Sequence, residues 1–135
     1  MDVYIFAADC HCSDCGEIKR AELTAQGKAP ADIENESTYD SGDFPKGPYA
    51  NGGGEADTPQ HCGTCGVFLE NPLTPDGSAY VKRAFKAYAE SGQGSRAVLE
   101  TWQTAYNEEY GEAVAENERE GLPAIPDFWA GNGAE

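Results

Sequence analysis

Apolar positions along this chain fall into a few short runs separated by long polar stretches. The first run, Val3 to Ala8, mixes β-branched and aromatic residues and stops at a cysteine-rich segment, which suits a short, largely buried strand. Glu17 to Lys28 is rich in helix formers, with Ile18, Ala21 and Leu23 as inward positions and Gly27 near its end, so a short helix is expected there. From Ala29 to Pro59 the chain is dominated by breakers, among them Ser41-Gly42-Asp43, Pro45, Pro48 and Asn51-Gly52-Gly53-Gly54, and reads as a long loop. Loops of that length inside a compact domain are usually functional or disordered. This one holds Tyr39, Phe44 and Tyr49, aromatics suited to anchoring the loop or a partner. The glycine run lacks the lysine and helix start of a phosphate-cradling loop and reads as flexible. Val67-Phe68-Leu69 reads as a second strand, closed by Asn71-Pro72.

Helical periodicity dominates the rest. Thr74-Pro75-Asp76 is an N-cap followed by proline at the first helical position, and Val81, Phe85 and Tyr88 recur at helical spacing up to Ser91-Gly92. A second helix starts near Ser95 and carries Val98, Leu99, Trp102, Ala105, Tyr106 and Tyr110 at three- and four-residue intervals; Glu112 to Glu120 prolongs it and Gly121-Leu122-Pro123 stops it. The two helices are expected to form an antiparallel hairpin joined through Gly92-Gln93-Gly94, with the aromatics as its core. The tail, with Leu122, Ile125, Phe128 and Trp129, is expected to be extended and packed back. The fold class is therefore α+β: one domain with short strands on a helical hairpin. Its segments are 1–28 (first cysteine pair, strand and short helix), 29–59 (loop), 60–73 (second pair and strand), 74–120 (hairpin) and 121–135 (tail).

The candidate chemistry lies in two nearly superimposable segments, Cys12-Ser13-Asp14-Cys15-Gly16 and Cys62-Gly63-Thr64-Cys65-Gly66. A two-residue gap lets both thiolates of a pair reach one ion while turn amides point at the sulfurs, and the following glycine permits the tight turn. Two such knuckles give four soft ligands, the set of a closed structural zinc site. Cys12, Cys15, Cys62 and Cys65 are the expected ligands; Cys10 and His61, with His11, lie beside the knuckles, and Cys10 or His61 is the substitute for one of the four. The bland reading makes Cys10 a buried thiol and the histidines outer-shell or surface residues. Zinc is the expected ion and iron its competitor.

In these knuckles and the adjacent apolar segments the chain resembles the zinc-ribbon and treble-clef group. The resemblance implies a domain shaped by metal that binds nucleic acid or protein and does no chemistry at the cysteines. The 46 residues between Cys15 and Cys62 exceed the spacing of the compact members. More loosely, the chain resembles small accessory proteins encoded by phages and other mobile elements, which implies an interaction role in a host cytoplasm.

Charge narrows the partner. Of 135 residues 24 are acidic and 9 basic, a net charge of -15, with acid concentrated in 29–59 and from Ala97 onward. Phosphate backbones are repelled by such a surface, so direct nucleic-acid binding is disfavoured and a protein partner with a basic surface is expected. Lys82, Arg83 and Lys86 form the one basic cluster, explained either by pairing with the acidic second helix or as a small anion patch. Asp9, Asp14, Glu17 and Glu70 near the cysteines read as solvated surface carboxylates. No Ser-His-Asp ordering or HExxH element is present, so no catalytic residue is assigned. The apolar opening run is six residues long, too short for a signal peptide or a membrane span, and five cysteines do not suit a secreted disulfide framework. A cytoplasmic location is expected.

Overall fold

The computed structural model describes residues 1–129 of the chain, the last six residues of the 121–135 tail lying outside them. Its secondary structure is a three-stranded antiparallel sheet and four helices, an α+β composition. The chain divides into two compact units, Met1–Pro72 and Leu73–Glu135.

In the first unit, β1 (Val3–Phe6) and β2 (Asp9–Cys12) form a hairpin in which Val3 faces Cys12 and Phe6 faces Asp9. The expected strand Val3 to Ala8 ends two residues early because Ala7 and Ala8 make the turn, at φ 53° and 62°. A two-residue hairpin that matches strand twist needs positive φ at both turn positions, normally supplied by Asn-Gly. Two alanines do so here against their own preference, of order 1–2 kcal/mol per residue, and leave no signal in the sequence.

Helix α1 spans Ser13–Ala25, so it begins inside the first knuckle, four residues before the expected Glu17. Its inward face is also different. Ile18 and Ala21 are exposed, while Gly16 is buried against the Tyr4 ring, where a Cβ would collide. Arg20 lies with its guanidinium 4.7 Å from the Tyr4 ring and 5.3 Å from Phe44. Gly16 thus serves close packing within a helix, whereas Gly66, at φ 81°, supplies the turn expected of a knuckle.

The 29–59 stretch is not a bare loop. Within it β3 (Lys46–Tyr49) pairs with the free edge of β1, giving the order β2-β1-β3. Pro48 lies in an edge strand, the position in a sheet that tolerates proline. Phe44 is fully buried with the Tyr39 ring edge-on to it at 5.8 Å, and so anchors this stretch internally. The glycine run is also fixed: Gly52 sits at φ 62°, donates to Met1 O at 2.8 Å, and presses so closely on Leu69 and Asn71 backbone that a side chain has no room. Asn71, 1% exposed, accepts from Gln60 N–H and donates to the carbonyls of Thr58 and Pro72. Val67 to Leu69 forms no strand; it meets the segment before Cys62 through a single bridge, His61 to Phe68.

In the second unit α2 is Pro75–Ser91, with Thr74 accepting from Gly77 N–H at its start and Gly92 in the left-handed region at its end. The expected second helix is two: α3 (Arg96–Ala105) and α4 (Asn107–Arg119), separated at Tyr106, whose φ −119° and ψ 51° leave the helical region. Val81, Phe85, Leu99, Trp102 and Tyr106 are buried. Of the described tail residues Ile125 and Phe128 are buried, whereas Leu122 and Trp129 are exposed. Phe128 is fully buried among the rings of Phe85, Tyr88 and Tyr110, and Tyr110 donates its hydroxyl hydrogen to Pro126 O. Among the described residues no helix is long and apolar enough to cross a membrane.

Candidate metal centre

The hairpin, the start of α1 and the second knuckle converge on four sulfurs. Cys12 ends β2 and is also the N-cap of α1, Cys15 lies in the first turn of that helix, and Cys62 and Cys65 flank the second knuckle. One ligand atom from each lies within 4.8 Å of every other. Metal–sulfur bonds of about 2.3 Å in a tetrahedron set the sulfurs about 3.8 Å apart, and Cys12 Sγ and Cys65 Sγ stand 3.8 Å apart. Sulfurs this close can surround one ion, while an iron–sulfur cluster would need room for its own sulfides between them. No cysteine is in a disulfide.

The surroundings favour anionic sulfur on one side and exclude water on the other. Cys12 and Cys62 are buried in a small apolar cluster with Val3 and Leu69, against which Cys10 and Cys15 pack; Cys65 is exposed. Amides of Thr64 and Cys65 point at Cys62 Sγ at 3.4 and 3.5 Å. Burial pushes the Cys62 thiol up, but the backbone hydrogen bonds, led by the Cys65 amide, outweigh it and bring the group down to about 6. Cys12 and Cys15 resist charge: the hydrogen bond with Cys12, then burial, holds Cys15 up at about 12, and burial raises Cys12 even though the Cys15 amide donates to it. Thiolates are the metal-binding form of cysteine, so capture of a divalent ion there would release protons. The N-terminus of α1 adds positive potential at Cys12 and Cys15.

Cys10 and His61 are not members of the quartet. Cys10 lies two residues before Cys12 on β2 and packs beside the apolar cluster. His61 bonds through Nδ1 to Gly66 O at 3.1 Å and its ring lies 5.3 Å from Phe68. Asp9, Asp14, Glu17 and Glu70 are exposed. His11, read from the sequence as an outer-shell or surface residue, has its Nδ1 2.9 Å from Thr64 Oγ1; the pairing, and Thr64 in a spacer position that metal chemistry leaves unspecified, escaped the sequence reading.

The basic cluster lies in the second unit. Lys82 bonds to Glu112 at 3.6 Å and Glu116 at 3.4 Å, and Lys86 to Glu116 at 2.5 Å, which is the intramolecular pairing of the two open explanations. Arg83 is exposed and has no ion pair among the described residues. Comparison of the chain with protein-family models, with curated proteins and with solved structures gave no match.

Proposed function

We propose that the chain is a non-enzymatic zinc-binding interaction module: one zinc held by Cys12, Cys15, Cys62 and Cys65 fixes the surface of the first unit, and the acidic exterior meets a protein with a basic surface. The observation that carries the metal half is the quartet itself, with an edge of 3.8 Å and all four sulfurs mutually within 4.8 Å. Four thiolates fill a tetrahedron and leave no position for water or substrate, which favours a structural ion over a catalytic one. The donor set also suits a single iron; zinc is preferred because closed four-cysteine sites of this kind are its usual home.

The partner half rests on charge. A surface of net -15 attracts basic partners and competes for grooves that hold nucleic acid, so inhibition of a nucleic-acid-binding protein is the specific form of this reading. Direct nucleic-acid binding draws little support, since Lys82 and Lys86 are already engaged by Glu112 and Glu116. The thiol quartet needs a reducing compartment to stay loaded, which suits the cytoplasm, that of the host if a phage or mobile element encodes the chain.

Two measurements test the reading. Elemental analysis of the purified chain should give one zinc per molecule, lost when Cys62 and Cys65 are both replaced by Ser; metal-free protein, or iron in its place, overturns the zinc assignment. Binding to DNA and RNA at low salt should be absent, and tight, salt-sensitive complexes would sink the protein-partner half.

A further inference from the structure

Forty-six residues of chain separate the two knuckles, so something other than covalent structure must set their spacing before and during metal binding. The strand β2 does this. Gly63 donates its N–H to Cys10 O at 2.8 Å, and one residue further along each segment Thr64 Oγ1 lies 2.9 Å from His11 Nδ1. The direction of that second bond follows from the other ring nitrogen. His11 Nε2 is 3.3 Å from Phe6 O; a carbonyl oxygen only accepts, so Nε2 carries the hydrogen, and in the neutral ring Nδ1 presents its lone pair. The Thr64 hydroxyl donates to that tautomer. Thr64 is then held at two ends, its hydroxyl on the hairpin and its amide aimed at Cys62 Sγ at 3.4 Å.

Resting on the reading of the quartet as a metal site, we infer that His11 and Thr64 are positioning residues for the metal: their hydrogen bond clamps the second knuckle onto the strand that ends in Cys12, and so sets the separation of the two thiolate pairs. Neither side chain is a ligand. The first knuckle needs no equivalent, since the helix α1 fixes Cys15 relative to Cys12 directly.

The test compares Thr64→Val, which keeps the shape and removes the hydroxyl, with Thr64→Ser, which keeps the hydroxyl, and with Tyr39→Phe, which removes the hydroxyl that donates to Ile33 O elsewhere in the same unit. Release of zinc to a chelator is timed well below the melting temperature, and each variant is reloaded with cobalt(II) to read the ligand-field bands. Thr64→Val should lose zinc faster by about 10- to 100-fold, the usual effect of removing an outer-shell partner, and show altered cobalt bands. Thr64→Ser and Tyr39→Phe should match the wild type. His11→Phe should reproduce Thr64→Val, and the double variant should be no faster than either alone. Wild-type release from Thr64→Val, failure of Ser to restore it, or equally fast release from Tyr39→Phe overturns the clamp. Wild-type protein that takes up neither ion removes the metal site itself, and is seen before any variant is made.

Discussion

Arg20 grips the carbonyl oxygen of Pro45 with two nitrogens, Nε at 2.9 Å and Nη2 at 2.8 Å, and reaches Gly47 O with Nη2 at 3.3 Å, while its guanidinium lies over the rings of Tyr4 and Phe44. Helix, sheet and the acidic 29–59 stretch are tied together by this one side chain. Arg20→Met should destabilise the first unit by about 1.5–3 kcal/mol, the range for hydrogen bonds to a charged group. Arg20→Lys should recover little, since an ammonium cannot supply the planar fork. Urea denaturation followed by amide exchange of residues 39–49 measures both; full rescue by lysine would show that charge alone is what matters.

Loss of the metal should fall on one unit. Apparent binding energies of structural zinc are about 10–16 kcal/mol in small peptides, more than the net stability of most domains. Cys12→Ser or Cys65→Ser, or excess chelator, should therefore abolish amide protection in Met1–Pro72. Because both tryptophans, Trp102 and Trp129, belong to the other unit, fluorescence distinguishes local from general unfolding. Unchanged melting of a variant lacking two of the four cysteines would refute a structural ion.

Two glycines in helix interiors should respond oppositely to alanine. At Gly16 in α1 a Cβ enters the Tyr4 ring, so Gly16→Ala should cost about 1–3 kcal/mol as an overpacked core does. At Gly111 in α4 nothing lies within 4 Å, and Gly111→Ala should stabilise by about 0.5–1 kcal/mol through helix propensity. Melting temperatures of the pair check the contrast; destabilisation at both would mean that Gly111 is needed for a contact of its own.

The network of Lys82, Lys86, Glu112 and Glu116 makes the stability of the helical unit depend on pH. The hydrogen bond from Lys86 outweighs burial and, with the hydrogen bond from Lys82 and the charges of both lysines, holds the Glu116 carboxyl below its ordinary 4.5. Desolvation pulls Lys82 down, but the hydrogen bond and charge of Glu116, with Glu112, raise it above 10.5. A lowered carboxyl stabilises above its unfolded pKa, and that contribution disappears as pH falls through the folded value. A raised ammonium stabilises below its unfolded pKa and loses the contribution as pH rises through the folded one. The stability difference between wild type and Glu116→Gln, read by tryptophan fluorescence, should thus be greatest between about pH 5 and 10 and shrink towards pH 3. A difference that persists at pH 3 would locate the effect in packing instead.

The quartet was legible because two identical spacings stand out against a polar background, and the caps at Thr74 and Gly92 and the aromatic run from Phe85 to Tyr110 located the helices. What was hidden had physical reasons. The Ala7-Ala8 turn carries no turn residue, α1 is capped by Cys12 of the quartet, which makes no side-chain cap bond, and its inward face uses a glycine and an arginine, which a hydrophobic pattern passes over. The strand β3 lies among prolines that only an edge position accepts. The break at Tyr106 has neither glycine nor proline, and nothing in the structure explains why the helix stops there. His11 and Thr64 meet across 53 residues, beyond the reach of any local pattern.

The order of the two units along the chain has a bearing on biosynthesis. Every sulfur of the quartet precedes Leu73, and chains fold from the N-terminus as they are made. The thiols are therefore complete while the ribosome is still adding α2, α3 and α4, so a metal ion at the quartet can be captured before the second unit has been made. On the proposed reading, metal supply during translation then bears on the maturation of the first unit before the second is complete.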